Sequence, residues 1–191
     1  LATAKYPRLI SENLFKYAVI LCKKQVYRYS LKTEHSHSLL LNIKDYQTIK
    51  QIIHKLYPDY DKSFAKIYEN NNKFAGGNLF ISKYSFLEKY CEWLFPILFE
   101  AETKINMSDY NVWQIRTLAI VSEVLFNVYI YHHKLKVLYK PIYFITEKKR
   151  NYFFIGFAQF MFKIVKNFFF YLYIRPGDLL SQRLIKINNP Q

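Results

Sequence analysis

The period of the apolar residues changes along the chain, and this change restricts the fold more than any other sequence feature. The run 17–21, YAVIL, is short, contains β-branched residues and is bounded by lysines, which predicts a buried strand. From Asp45 to Leu56 the apolar residues recur on one helical face, and Pro58 then ends the helix because a proline disfavours the α region in the preceding residue. Strands that alternate with helices in this way predict an α/β fold.

The remaining segments extend the same alternation, and a length of 191 residues suits one domain. Two further helices are predicted, one capped by Ser82 or Ser85 and one that begins near Ser108, and Pro96 should bend or restart the first of them. Four shorter segments are also expected: an irregular loop over 25–41, a short helix over about 59–70, a strand at 79–81 and a strand at about 136–143.

Composition excludes several classes of protein. The chain is 51% hydrophobic and has only four glycines and six prolines, which excludes a disordered or collagen-like chain. Its 28 basic and 14 acidic residues give a net charge of +14. Because no predicted helix carries a compact basic recognition face, we expect no nucleic-acid partner. An anionic membrane or a phosphorylated substrate remains as a candidate partner for the positive charge. Cys22 and Cys91 lack metal-ligand spacing and indicate a reducing compartment.

The segment 152–173 is rich in aromatic residues and long enough to span a bilayer. Lys163 and Lys166 fall near its middle, and each costs about 2.5–3.5 kcal/mol at the centre of a spanning helix, which argues against a span. Its polar residues recur at three- and four-residue steps, and basic residues at 148–150 and Arg175 flank it. This pattern predicts an amphipathic helix on an anionic membrane surface. A core helix, a dimer contact and a true span are the alternatives.

The candidate ligand site is a glycine-rich corner. Gly76 and Gly77 are two of the four glycines in the chain, and they stand directly before a predicted strand. Their lack of side chains lets a polar ligand approach the backbone, and the neighbouring Asn78 offers donor and acceptor groups that suit sugar hydroxyls. We therefore expect Gly76, Gly77 and Asn78 to bind substrate.

The candidate catalytic residue is Glu123, which lies in the middle of a predicted helix between apolar positions. Partial burial at such a position favours a carboxylate that acts as a general base. The alternative is a pair on the helix surface, since Arg116 and Asn127 fall on the same stripe.

Two patterns suggest metal ligands but are weak. His35 and His37 lack a third ligand at suitable spacing, and a solvated loop is the simpler interpretation. Asp59 and Asp61 form an Asp-x-Asp pattern of the kind that many glycosyltransferases use for a divalent cation, but a solvated helix N-terminus explains them as well. No metal site is therefore predicted. The sequence also lacks Walker, Rossmann and nucleophile-elbow motifs.

Four segments of the sequence resemble a bacterial family of capsular and exopolysaccharide glycosyltransferases. They are GNLFI at 77–81, YCEWLFPILFEAE at 90–102, SEVLFNV at 122–128 and YPDY at 57–60. The resemblance covers about residues 10–145. The sequence departs from the family at Ala18, where an aspartate is common, and at Val124, where an arginine is usual.

The resemblance implies the C-terminal part of a GT-A-like domain over 1–147, followed by the basic aromatic helix and tail over 148–191. It implies transfer of a hexosyl group from a nucleotide sugar to a lipid-linked oligosaccharide acceptor, at the inner face of the cell membrane. A divalent cation, Mn²⁺ or Mg²⁺, belongs to the complete family, although none is evident in this chain. The rival hypothesis is a non-catalytic protein, derived from a truncated transferase, that associates with a membrane or binds a partner.

Overall fold

A computed structural model of the chain describes residues 2–37 and 42–142, together with 161, 164 and 165. These residues form a mixed α/β fold that is rich in helix, as the sequence predicts. The helices are α1 (Ala2–Lys16), α2 (Leu31–His37), α3 (Ile43–Leu56), α4 (Asp61–Phe64), α5 (Tyr84–Lys104) and α6 (Thr117–His132). The strands are β1 (Val19–Cys22), β2 (Gln25–Val26), β3 (Lys73–Phe74), β4 (Phe80–Ser82) and β5 (Val137–Lys140). Single turns of 3-10 helix lie at Pro58–Tyr60 and Gln114–Arg116, and a π-helical turn spans Ala65–Glu69.

The main sheet has three strands in the order β4-β1-β5, with β1 at its centre. Ile20 pairs with Ile81 of the antiparallel strand β4 and with Leu138 of the parallel strand β5. All three strands fall where the sequence predicts them, because short runs of apolar and β-branched residues favour extended backbone in a pleated sheet. Of the three, β1 is the buried one. A separate two-stranded pair joins β2 to β3.

Helix α6 forms the centre of the core and packs against α5, α4 and the π-helical turn. Leu125, Phe126 and Val128 are almost completely buried, and the Phe126 ring stacks on Phe80 of β4 at a centroid distance of 4.6 Å. Such burial on several faces explains why the helix is apolar nearly all round. A polar side chain on this helix therefore requires a specific partner.

Helix α3 confirms its predicted span. Ile49, Ile52 and Ile53 are buried along one face, and the Asn42 side chain caps the N-terminus by accepting the Lys44 backbone N–H at 3.0 Å. The short helix expected over 59–70 is a succession of 3-10, α and π turns over 58–69.

The sequence interpretation is wrong at two loops. The segment 25–41, expected to be irregular, contains β2 and α2, and Glu34 Oε1 supports the start of α2 by accepting the backbone N–H groups of Arg28 and Tyr29. The helix expected from Ser108 begins only at Thr117. Before it, Asn111 accepts the backbone N–H groups of the residues two and three positions later, which favours a turn.

The start and the middle of α5 also differ from expectation. The residue at the N-cap is Lys83 rather than Ser82 or Ser85, and no side chain caps the helix. Pro96 lies inside an uninterrupted helix. Helix α1 was not anticipated from the sequence.

The amphipathic helix predicted at 152–173 lies outside the described residues, apart from the positions 161, 164 and 165, which are helical. In the part of the chain that the structure describes, no helix combines the length and the apolar character that a membrane crossing requires.

Candidate functional site

The turn that contains Gly76, Gly77 and Asn78 leads into β4 and lies beside the carboxyl end of β1. The thiol of Cys22, the last residue of β1, donates a hydrogen bond to the Gly76 carbonyl oxygen at 3.4 Å. Gly77 and Asn78 have φ angles of 84° and 47°, which glycine adopts without strain and asparagine tolerates. Both residues are exposed. The turn thus faces solvent at the edge of the sheet where α/β proteins commonly bind ligands.

Helix α6 places the Glu123 carboxylate against this turn. The Gly77 backbone N–H donates a hydrogen bond to Glu123 Oε2 at 2.8 Å. A Cβ atom on Gly76 would lie 3.0 Å from the same oxygen and 2.6 Å from the Phe74 ring, so the close approach requires glycine. Within the described residues, the other carboxylate oxygen accepts no hydrogen bond from the protein. Glu123 is therefore fixed through one oxygen and can accept a hydroxyl or a proton through the other.

The residue before Glu123 fixes the Asn78 side chain. Asn78 Nδ2 donates a hydrogen bond to Ser122 Oγ at 2.9 Å, and that hydroxyl donates in turn to the Ala119 carbonyl oxygen at 2.7 Å. From α5, the Tyr90 hydroxyl donates to the Ser122 carbonyl oxygen at 3.3 Å. Burial raises the pKa of Tyr90, which keeps this hydroxyl protonated as a donor. These bonds orient the exposed amide of Asn78 before any ligand binds.

Asn127 holds the chain just before the glycines. Its Nδ2 donates hydrogen bonds to the Ala75 and Glu123 carbonyl oxygens, both at 2.9 Å, and its Oδ1 accepts the Ala75 backbone N–H at 3.3 Å. The amide therefore pairs with Ala75 as a neighbouring strand would. Because both residues are buried, this pairing fixes the distance between α6 and the turn.

Glu123 also influences two neighbouring groups that could ionise. Burial raises the pKa of the Cys22 thiol, a backbone hydrogen bond opposes this rise in part, and the negative charge of Glu123 adds a smaller increase. Burial likewise raises the pKa of the Tyr27 hydroxyl, with added contributions from the charges of Glu34 and Glu123. Both groups therefore stay protonated at neutral pH, and neither competes with Glu123 as a base.

Three of the four residues in the weak metal patterns form other contacts. His35 is buried, contrary to the solvated loop expected, and its Nδ1 lies 3.0 Å from the Tyr68 hydroxyl. Asp61 Oδ2 lies 2.6 Å from His54 Nδ1, and the largely exposed Asp59 lies 3.3 Å from His132 Nε2. In the described ranges no three histidine, cysteine or carboxylate side chains come together as a metal site requires. The divalent cation that the resemblance implies for the complete family therefore stays a prediction.

A basic groove of about 370 Å³ adjoins the turn through Asn127. Two lysines and two tyrosines contribute to its lining: Lys24, Lys134, Tyr131 and Tyr139. Lys24 lies two residues after the end of β1, and its ammonium lies 5.3 Å from the centroid of the Tyr139 ring. Positive charge at the carboxyl end of a strand can bind an anionic group of a ligand.

The structure brings all four predicted site residues together, since Gly76, Gly77 and Asn78 all lie against Glu123 or the adjacent Ser122. The alternative for Glu123 was a pair with Arg116 or Asn127 on the helix surface, whereas its carboxylate accepts the backbone N–H of Gly77 from the turn. The sequence interpretation did not include Cys22 in the site, although its position directly after a predicted strand indicates the end of a sheet where ligands bind. The separate segments 77–81 and 122–128, on which the family resemblance rested, are in direct contact.

The fold resembles a solved glycosyltransferase. The apo structure of the bifunctional glycosyltransferase WbbM superposes with a TM-score of 0.60 at 29% sequence identity, over 64% of this chain. The matched region is only 23% of the WbbM chain, so the present sequence spans a minor part of that protein's length.

Residues 3–134 match the sequence model of a domain of unknown function, DUF4422. The chain belongs to the DUF4422 family. No curated protein matches the sequence. Over the matched part of the chain, the fold is therefore similar to that of a glycosyltransferase.

Proposed function

We propose that this chain is a glycosyltransferase, or a portion of one, that transfers a hexosyl group from a nucleotide sugar to a lipid-linked glycan acceptor. The observation that carries the proposal is the Glu123 carboxylate, held at 2.8 Å by the Gly77 N–H beside an exposed turn, in a fold similar to a glycosyltransferase. Sequence segments similar to capsular and exopolysaccharide enzymes support synthesis of a surface polysaccharide as the pathway.

In this proposal Gly76, Gly77 and Asn78 line the sugar site and Glu123 is the base. An acceptor hydroxyl donates its hydrogen bond to Glu123 Oε1, which takes the proton as the acceptor oxygen bonds to the anomeric carbon. The bond from that carbon to the nucleoside diphosphate breaks, and the diphosphate leaves with the electron pair. The exposed Asn78 amide binds a sugar hydroxyl, since Ser122 already fixes its orientation.

The basic groove beside Asn127 supports a nucleotide sugar as the donor. Lys24 and Lys134 both line it, and a diphosphate carries the opposite charge. A lipid-linked acceptor places the enzyme at the inner face of the cell membrane. The net charge of +14 suits an anionic bilayer there.

Saturation-transfer NMR of this chain with a panel of nucleotide sugars tests donor binding, and release of nucleoside diphosphate with a glycan acceptor tests turnover. We expect Glu123→Gln to lower turnover by about 10²–10⁴-fold, which is the usual contribution of a general base, with little change in the unfolding temperature. The matched control is Glu88→Gln, because Glu88 is an exposed glutamate of α5 that lies in a different groove. Absence of saturation transfer from every nucleotide sugar, or unchanged turnover in Glu123→Gln, would contradict the proposal.

A second candidate is a non-catalytic protein that binds a partner, and one observation favours it. The outer face of α5 forms a largely apolar groove of about 520 Å³ that includes Tyr84, Phe95 and Phe99, all exposed. Exposed apolar patches commonly mark interaction sites. Donor binding without turnover, in the wild type and in Glu123→Gln alike, would favour this candidate.

A further inference from the structure

The loop 105–116 between α5 and α6 displays three large apolar side chains to solvent. Val112, Trp113 and Ile115 are 77%, 58% and 62% exposed. A single exposed apolar residue is ordinary, but three within four positions form a patch that costs free energy in water unless a partner covers it.

The loop is held in one conformation by its own polar side chains. Asn111 Oδ1 accepts the backbone N–H groups of Trp113 and Gln114 at 2.8 and 3.0 Å, and Gln114 Oε1 accepts the Asn111 N–H at 3.2 Å. The Ile115 N–H donates to the Asn111 carbonyl oxygen at 3.0 Å. The three apolar side chains are therefore presented by a preorganised turn, so binding through them orders little additional backbone.

A buried carboxylate fastens this loop to the body of the domain. Asp45, in the first turn of α3, is only 3% exposed. It accepts hydrogen bonds from the Tyr110 hydroxyl, within the loop, and from Thr117 Oγ1 at 3.0 Å, at the start of α6. With its base anchored between two helices, the loop keeps its apolar side chains directed outward instead of folding them onto the core.

We propose that Val112, Trp113 and Ile115 insert into the interfacial region of an anionic lipid bilayer. Tryptophan is enriched at the level of lipid headgroups, where its ring is apolar and its N–H remains hydrated. The chain as a whole carries a charge of +14, which an anionic surface attracts. Arg116 ends the loop, whereas Lys104, just before it, pairs with Glu100 at 2.7 Å, and Asp109 lies within it. The choice of a membrane as the partner rests on the lipid-linked acceptor of the proposed function. Vesicle binding can nevertheless be measured without any transfer activity.

The two tryptophans of the chain allow a site-specific test. Trp93 is 6% exposed and stacks on Tyr60, so it is shielded from lipid, whereas Trp113 is exposed. The full chain is mixed with vesicles of phosphatidylcholine and phosphatidylglycerol, with and without brominated acyl chains. The difference between the spectra of the wild type and Trp113→Phe isolates the emission of Trp113. We expect this emission to shift to shorter wavelength and to be quenched by the brominated lipid.

A pair of matched variants measures the contribution of the loop to binding. Val112→Ser with Ile115→Ser should weaken partition into the vesicles by about tenfold, because less apolar surface enters the bilayer. Tyr84→Ser with Phe99→Ser, which removes exposed apolar residues from α5, should leave partition unchanged.

Vesicle-bound protein with unquenched Trp113 would show that another surface binds the lipid, and would overturn the proposal. Absence of vesicle binding would overturn it equally. Neither result bears on nucleotide-sugar binding, so the failure of this inference is distinguishable from the failure of the proposed function.

Discussion

Replacement of Asn127 by alanine should destabilise the domain more than any exposed substitution, because its amide pairs with a buried backbone. Asn127→Ala removes the acceptor of the Ala75 N–H and the donor to the Ala75 carbonyl oxygen, at 3.3 and 2.9 Å. It also removes the donor to the Glu123 carbonyl oxygen at 2.9 Å, although that oxygen lies within a helix.

The magnitude follows from what is left unpaired. A buried polar group without a partner costs about 1–3 kcal/mol, and Ala75 is 4% exposed, so water does not easily replace the amide. Two such groups, one of which formed only a long hydrogen bond, give an expected loss of about 2–4 kcal/mol in the free energy of unfolding. That loss is a large part of the 5–15 kcal/mol typical of a domain.

Urea unfolding followed by far-UV circular dichroism measures this loss. The matched control is Asn13→Ala, since Asn13 forms one exposed hydrogen bond, from its Nδ2 to the Leu9 carbonyl oxygen at 2.7 Å, and its loss should cost less than about 0.5 kcal/mol. A loss below about 1 kcal/mol for Asn127→Ala would refute the reasoning, because it would show that the amide does not support the turn.

Two further predictions concern the turn and a buried histidine. Gly77→Ala should lower the free energy of unfolding by about 1–2 kcal/mol because of the φ of 84°, and Gly77→Asn should cost less; equal losses in urea unfolding would contradict this. Burial lowers the pKa of His35 to about 4 from 6.5, against the opposing charge of Glu34, so the unfolded chain binds the proton more tightly. Stability is therefore full above about pH 6.5 and falls as the pH is lowered toward 4, by an amount on the order of 3 kcal/mol. In His35→Leu the urea midpoints at pH 7 and pH 4.5 should differ less than they do in the wild type. An equal difference in the variant and the wild type would exclude His35 as the cause.

The elements that the sequence predicted correctly are those determined by local pattern. The short β-branched run of β1 is typical of a strand, and the isoleucines of α3 recur with the spacing of a helix. Both sets of residues are buried in the core, so tertiary packing favours the same secondary structure as the local pattern. The segment before α2 and the loop after α5 were predicted incorrectly because single side chains decide them. Before α2, the Glu34 side chain accepts two backbone N–H groups, and in the loop after α5 the Asn111 side chain does the same. The spacing of apolar residues carries no information about such hydrogen bonds.

The candidate site shows the same division. The glycine pair and Glu123 were recognisable from residue type and position, since each is unusual in its surroundings. Their mutual contact was not, because Gly77 and Glu123 lie far apart in sequence and helical spacing offered Arg116 and Asn127 as nearer partners for the carboxylate. Only the packing of α6 beneath the turn, fixed by Asn127, brings the two together.

The strand order β4-β1-β5 has a consequence for how the chain reaches its native state. Both neighbours of β1 come from distant parts of the sequence, so closing either pairing early would cost a large loop entropy. We expect the contacts between α5 and α6, which are nearer in sequence, to form earlier than either strand pairing. On this expectation the pairing of β1 with β4, which ends beside the turn at Gly76, forms late, and the turn acquires its geometry only after the helices have packed.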